Sequence, residues 1–421
     1  MSRKERERLL MLSRVKDQGM TLKSASGALA LSYRQTRRIY KRYLKEGDAG
    51  LIHKSRGRPS GRGFDISYKG AVLNRYKDRY TGFGPTLAAE KLVEDGFVLD
   101  HETLRRWLLK AGLISKRRKK TKHRKMRERR ECFGELVQMD GSHHSWFEDR
   151  GDSACLMNMV DDASGTTLSL MDKEETTEAA MILLLAWINR YGIPEVLYVD
   201  RKNVFITDRE PTLAEQLRGE EPLTHFGKAC KKLSIRIMPA NSPQAKGRVE
   251  RNHGVYQDRL VKELRIQGIN TIDEVNRLLK DGFIDNLNIR FAADIGKLKD
   301  RHRLVDKKTD LFAVFSYEEE RSVANDFTVR YLGRIFQIEK QTGLPCPGKR
   351  LIVQKRLDKS VHLIYQDHEL RFKEISVAEK ASKIRMTDGK PKGRPTTKYI
   401  PPVDHPWRQQ RVKPPIAAAS R

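Results

Sequence analysis

Long apolar runs are missing from this 421-residue chain. The most apolar stretch, Ala179 to Ile188, falls far short of the roughly 20 residues needed to cross a bilayer and reads as a buried core helix. The opening MSRKERERLL holds no apolar signal segment, which points to a cytosolic protein. Cysteine is scarce. Cys132, Cys155, Cys230 and Cys346 are widely spaced and form no CxxC pair, so neither a disulfide framework nor a cysteine zinc site is indicated. Acidic residues are the remaining shortage: 55 Asp and Glu stand against 84 Lys and Arg, a formal charge of +29. That balance calls for a polyanion, and with no membrane segment in view the partner expected is nucleic acid. The length suits about three domains of roughly 100–200 residues.

Residues 3–46 read as three short helices. The first carries Leu9, Leu12 and Val15 on one face, the second follows an N-cap at Thr21, and Ser32 caps the third, YRQTRRIYKRYLKEG. The pattern is that of a helix-turn-helix, whose last helix enters the major groove. Tyr33, Tyr40 and Leu44 would point inward, leaving Arg34, Arg37, Arg38, Lys41 and Arg42 largely outward. A small helical bundle with a solvated basic face is the plainer alternative. KSRGRPSGRG at 54–63 is an extended cationic segment. Its Arg56 and Arg58 suit an A·T-rich minor groove, and a basic linker explains them equally. Residues 66–113 repeat the three-helix architecture. Asp100 caps a helix with Leu104, Trp107, Leu108 and Ala111 inward and Arg105 and Arg106 outward. KRRKKTKHRKMRERR at 116–130 holds eleven Lys or Arg and one Glu, and reads as a linker that tracks phosphates.

The middle of the chain changes character. Apolar runs at Leu136–Asp140, Ala154–Val160, Thr166–Leu170, Glu195–Asp200 and Ile235–Pro239 read as strands. A helix from Thr176 to Gly192 and another over Gln244–Arg265 complete a mixed α/β domain. Between them TDREPTLAEQLRGEEPLTHFGKA reads as an exposed insertion or a helix-bearing loop. Residues 323–375 alternate as short hairpins, suggesting a small β-barrel, and the tail from 377 is rich in Lys, Pro and Gly. The boundaries expected are 1–50, 64–114, 115–130, 131–292, 316–376 and 377–421.

Asp140 in LVQMDGSHH and Asp200 in LYVDRKNVF each end a strand-like run, and Glu250 in SPQAKGRVERNHG lies early in a helix. Three carboxylates from separate elements suit hard divalent cations. Lys246, Arg248 and Arg251 surround Glu250 with positive charge. These motifs, with MVDDASG, occur in the order found in the DDE transposase and retroviral integrase superfamily, which this chain resembles over residues 130–291. Helix-turn-helix units before the core and a barrel after it resemble bacterial insertion-sequence transposases, the ISNCY group in particular. The resemblance implies a multidomain protein with an RNase H-like core and a catalytic triad of Asp140, Asp200 and Glu250 holding Mg²⁺, for which Mn²⁺ would substitute. It also implies double-stranded DNA as partner, including inverted-repeat ends and target DNA, at least a dimer on that DNA, and a place on the bacterial nucleoid. Lys246 and Arg248 join the DNA contacts. Two departures stand out: Arg201-Lys202-Asn203 follows the second aspartate where the family often has Asn-Gly, and the second and third acids are 50 residues apart, longer than usual. The spacing keeps Asp208 as a rival to Asp200. A transposase-derived DNA-binding regulator without catalysis is the alternative function.

Overall fold

The computed structural model describes residues 1–54, 56–57, 63–115, 128–219, 221–240 and 247–376. Arg58, Lys246, most of the basic connector and the tail lie outside the described residues. The chain divides into two compact units, Met1–Arg118 and Lys119–Arg421.

In the first unit, helices α1 (Arg3–Lys16), α2 (Leu22–Ala28) and α3 (Tyr33–Glu46) start on Ser2, Thr21 and Ser32. Each of these hydroxyls accepts a backbone N–H three residues on, satisfying a donor the helix start would otherwise orphan. Leu12, Ile39 and Leu51 form the core. Leu51 arrives on a 3₁₀ turn, Gly47–Leu51, and this changes the expected facing of α3. Tyr33 and Leu44 are 52% and 54% exposed, whereas Thr36 and Ile39 are buried. With Leu51 in the core, the packed stripe of α3 is Thr36, Ile39, Tyr40 and Tyr43. Arg34, Arg37, Arg38 and Lys41 are exposed, and their i, i+3, i+4, i+7 spacing places them on one helical face; Arg42, also expected outward, is half-buried because it lies beside the packed Tyr43 and off that face.

Helices α4 (Ile66–Arg79), α5 (Pro85–Glu94) and α6 (His101–Lys110) follow. Asp65 and Asp100 cap α4 and α6, and Leu104 and Leu108 are wholly buried as expected, though Ala111 is exposed. Asp95, at the end of α5, accepts from Arg75 Nε at 2.7 Å, Arg75 Nη2 at 2.9 Å and the Tyr80 hydroxyl at 2.5 Å. These bonds tie α4 to α5.

The second unit is built on a five-stranded sheet of β1 (Val137–His144), β2 (Ala154–Asp161), β3 (Thr167–Asp172), β4 (Val196–Val199) and β5 (Arg236–Pro239), in the order β3-β2-β1-β4-β5. β1, β2 and β3 are antiparallel; β4 and β5 run parallel to β1. Parallel neighbours need crossovers, supplied by α7 (Thr177–Tyr191) and by α8 (Leu213–Arg218) with α9 (His225–Lys232). This is the RNase H-like order that the resemblance implied. α7 is apolar nearly all round, and its Ala180, Leu184 and Trp187 are fully buried. The piece read as an insertion is divided. α9 belongs to the core, burying Phe226, Ala229 and Cys230 at i, i+3 and i+4.

α10 (Gly247–Gln267) lies over the sheet, followed by α11 (Ile272–Leu278) and α12 (Ile284–Phe291), two helices the sequence reading did not identify. Their work is at the sheet edge. The Asn276 amide bonds the Met171 N–H and C=O, and the Asn288 amide bonds those of Thr167, so the open side of β3 is sealed.

Strands β6 (Ser316–Ser322), β7 (Thr328–Tyr331), β8 (Arg334–Ile338), β9 (Arg350–Arg356), β10 (Val361–Tyr365), β11 (His368–Leu370) and β12 (Phe372–Ile375) form two antiparallel sheets, β11-β10-β9-β6 and β12-β8-β7. They face one core that includes Val329, Phe336, Val353 and Leu363. The hairpins are as expected; a barrel closed by hydrogen bonds is not found among the described strands. The chain passes between the sheets after β6, after β8 and after β11, the last passage taking the single residue Arg371. No helix among the described residues is long and apolar enough to cross a membrane.

Candidate active site

Asp140 stands in the middle of β1, not at its end. The Asp140-Gly141 pair, which by sequence would open a turn, continues the strand because β2 pairs residue for residue from Val137 to His144. Alternation puts Gln138, Asp140 and Ser142 on one face of the strand. α10 touches both ends of that row. The Val249 N–H donates to Gln138 Oε1 at 3.3 Å and the Gln257 amide donates to Ser142 Oγ at 3.1 Å. Eight helical residues rise about 12 Å and four strand residues about 13 Å, so helix and strand run level with each other. The first turn of α10, with Glu250, thus begins beside Gln138, and the buried His253 comes level with Asp140.

MVDDASG holds this arrangement in place. Asp161 accepts from the N–H groups of Gly134 and Ser164 and from the Ser164 hydroxyl; burial pushes its carboxyl above the ordinary range against those bonds. Asp162, with 0% exposure, accepts from the Arg130 N–H and from Gln138 Nε2 at 2.9 Å, and pairs with Arg248 at 3.2 Å. Gln138 therefore links Asp162 to Val249, fixing where α10 starts. A second link is Asn158, opposite Asp140 in the ladder, whose amide donates to Asn252 Oδ1 at 2.6 Å.

Asp200 follows the last residue of β4, and its carboxylate meets that of Asp140 and that of Glu175, all with ligand oxygens within 4.8 Å of one another. Asp208 is exposed and outside this group. Glu250, also exposed, is not in the group either. Glu175 had no role by sequence. It precedes Thr176, the N-cap of α7, and its side chain is only 5% exposed. One oxygen pairs with the Lys202 ammonium, while Oε1 has no hydrogen-bond partner among the described residues. Lys202 also stands 3.3 Å from Asp200. Burial pushes the Glu175 carboxyl up, against the pull of Lys202 and with the Asp200 and Asp140 charges. Lys202 is raised above an ordinary lysine despite its own burial, because Glu175, Asp200 and Asp140 all act on it. Gly141 makes room for Glu175: a Cβ at that position would stand 2.5 Å from Glu175 Oε2. Asp-Gly was the available sign of this close approach.

Three carboxylates with an orphaned, buried oxygen fit a hard divalent cation such as Mg²⁺ or Mn²⁺. His143, Cys155 and Glu175 also come within 4.8 Å of one another. Burial and the Glu175 charge push the Cys155 thiol up to about 12. An open cleft of about 960 Å³, bordered by Glu175, Lys202, Asp172, Asp152 and Asp273, adjoins the cluster.

The basic residues singled out by sequence fall into two sets. Arg34, Arg37, Arg38 and Lys41 line α3. Arg56 pairs with the buried Glu5 at 2.8 Å, and Arg105 and Arg106 lie 2.6 Å and 3.6 Å from Glu102.

Residues 7–60 match the family model described as a helix-turn-helix domain. The chain is 35% identical over 395 residues to y4bF of Sinorhizobium fredii, which carries the name of a transposase, covering 93% of this chain and 85% of that protein. It is 28% identical to the transposase for insertion sequence IS1202 of Streptococcus pneumoniae, covering 97% of this chain and 94% of the relative. Among solved structures, the HTLV-2 integrase catalytic core domain in complex with magnesium is 20% identical with a TM-score of 0.27, covering 35% of this chain and 84% of that one. The simian T-cell lymphotropic virus intasome with a PP2A regulatory subunit is 16% identical with a TM-score of 0.32, covering 71% and 98%. The fold rests on the strand order given above.

Proposed function

Since the chain belongs to the transposases, we propose that it is an insertion-sequence enzyme of the DDE superfamily, which binds the terminal inverted repeats of its element, cleaves their 3′ ends and joins them to target DNA. The observation that carries this reading is the meeting of Asp140 and Asp200, from two parallel strands, at one carboxylate cluster beside the start of α10. Asp140, Asp200 and Glu250 are the proposed metal ligands. Divalent cations held there supply Lewis acidity to the attacking and leaving oxygens of phosphoryl transfer. The chain itself does the positioning. Gln138, Asp162 and Arg248 hold the first turn of α10 against β1, keeping Glu250 on the side of the strand that Asp140 occupies. In the absence of cations the Lys202 ammonium offsets part of the acidic charge. Double-stranded DNA is read by the helix-turn-helix, through the exposed stripe Arg34, Arg37, Arg38 and Lys41 on α3. Arg105 and Arg106 on α6 add a second contact. Two ends must be brought together, so the working form is at least a dimer on DNA.

The test uses purified protein, Mg²⁺ or Mn²⁺, labelled terminal-repeat DNA and a target plasmid. Wild type should cleave 3′ ends and form joined products. Asp140→Asn, Asp200→Asn and Glu250→Gln should each lose both steps, by several orders of magnitude, while binding the ends normally; Asp208→Asn should remain active. Joining by Asp140→Asn overturns the catalytic reading. A dead Asp208→Asn beside an active Asp200→Asn reassigns the second ligand. End binding by wild type without any products returns the chain to a DNA-binding regulator.

A further inference from the structure

We infer that Glu175 is a further ligand of the divalent-cation centre, and that Lys202 is a built-in counter-ion which the cation displaces. This rests on the reading of Asp140 and Asp200 as metal ligands and extends it to a residue that no sequence motif marked. Four observations carry it. The Glu175 carboxylate lies with those of Asp140 and Asp200 inside 4.8 Å, a spacing at which one cation reaches all three. Its side chain is 95% withdrawn from solvent, and Oε1 is left without a partner among the described residues. A buried carboxylate oxygen in that condition costs free energy unless something else binds it. Gly141 leaves room for the approach: a Cβ there would stand 2.5 Å from Glu175 Oε2 and 2.9 Å from Cys155 Sγ. Lastly, the ammonium of Lys202 reaches both Glu175 and Asp200, and this side chain is 45% exposed and can swing away on its flexible stem.

Lys202 stands at the second position after Asp200, where the sequence departs from the family's Asn-Gly. Its charge lowers the repulsion among three carboxylates before the metal arrives. It does so at the expense of metal affinity, because the cation must replace it. Glu175 comes from the loop before α7, whereas Glu250 lies in the first turn of α10.

The test is Mn²⁺ binding to the full chain without DNA, by electron paramagnetic resonance titration, for wild type, Asp140→Asn, Asp200→Asn, Glu175→Gln, Gly141→Ala and Lys202→Gln. Melting in chelator establishes that each variant is folded. Glu175→Gln should weaken Mn²⁺ about 10–100-fold, the range for loss of a group that supports a metal site. Gly141→Ala, which keeps every carboxylate but pushes Glu175 away, should weaken it as well. Lys202→Gln should tighten it. Wild-type affinity and stoichiometry in Glu175→Gln, with binding lost in Asp140→Asn and Asp200→Asn, overturns the assignment of Glu175 and leaves the centre standing. Unchanged binding in Asp140→Asn and Asp200→Asn overturns the metal-centre reading itself. Weaker or unchanged binding in Lys202→Gln overturns the counter-ion role. Should Glu175→Gln fail to fold, Gly141→Ala decides: unchanged Mn²⁺ affinity there overturns the proposal.

Discussion

Arg248 lies against Asp162, whose side chain is wholly buried, and a guanidinium so placed holds structure before it holds phosphate. Arg37 and Arg38 are exposed on the basic face of α3. The two kinds of arginine should therefore fail differently. Arg37→Ala or Arg38→Ala should weaken binding to the terminal repeat by roughly 1–3 kcal/mol if a base edge is read, with little change in stability. Arg248→Ala leaves the Asp162 charge buried with one ion-pair partner fewer, and should destabilise the second unit by about 3 kcal/mol or more. Its end affinity per folded molecule should stay near wild type. Calorimetry and a mobility-shift titration on the same preparations separate the two effects, and an Arg248→Ala protein of normal stability but poor affinity would restore Arg248 to the DNA contacts. The same reasoning applies to the acids. Asp140 and Asp200 were legible because each follows an apolar run, while Glu175 sits in DKEET, a charged turn with no pattern to distinguish it from surface. Only the Gly after Asp140 hinted at a neighbour pressed against the strand.

Among the elements, the tie between α4 and α5 depends on one carboxylate. Arg75, through its side-chain hydrogen bonds, with Tyr80 and Arg79 behind it, holds the Asp95 carboxyl down at about 2 against the effect of burial. A folded value below the unfolded one, about 3.9, contributes stability that is present above the unfolded value and disappears as pH falls toward 2. Asp95→Asn should accordingly cost about 1–3 kcal/mol at pH 7. The gap between wild type and variant should close between about pH 4 and pH 2. Urea unfolding of the first unit across that range checks it, and a gap independent of pH would show that the Asp95 charge does not hold these helices together. The helices here were visible in sequence because caps and apolar periodicity coincide, as at Ser32, Asp100 and Thr176. Strands β1, β2, β4 and β5 were visible because buried strands read as apolar runs. What escaped was decided by partners distant in sequence. The phase of α3 depends on Leu51 folding back beneath it. α11 and α12 show modest apolar faces, and their placement follows from Asn276 and Asn288 reaching the edge of β3. The shortest passage between the two C-terminal sheets is at Arg371, a residue with no turn signature.

At the scale of the whole molecule, a charge of +29 ensures affinity for any DNA, so recognition of particular ends must come from something other than net charge. The first unit, Met1–Arg118, is compact by itself and holds both sets of three helices. Asp140, Glu175 and Asp200, whose carboxylates come together, lie in the second unit. The proposed function therefore assigns reading and chemistry to different parts of the chain, joined through a basic stretch of which residues 116–127 lie outside the described ones. A fragment of residues 1–114 should then protect the terminal repeats in a footprint as specifically as the full chain. A fragment from residue 130 onward should bind DNA with no preference for the ends, and should lose affinity steeply as salt rises, since phosphate contacts release counterions. Sequence-specific affinity in the first fragment should persist against an excess of unrelated DNA, because base contacts carry discrimination that phosphate contacts do not. If instead the fragment from residue 130 footprints the ends as specifically as the full chain, recognition resides in the second unit, and the exposed arginines of α3 are a solvated face rather than a reading surface.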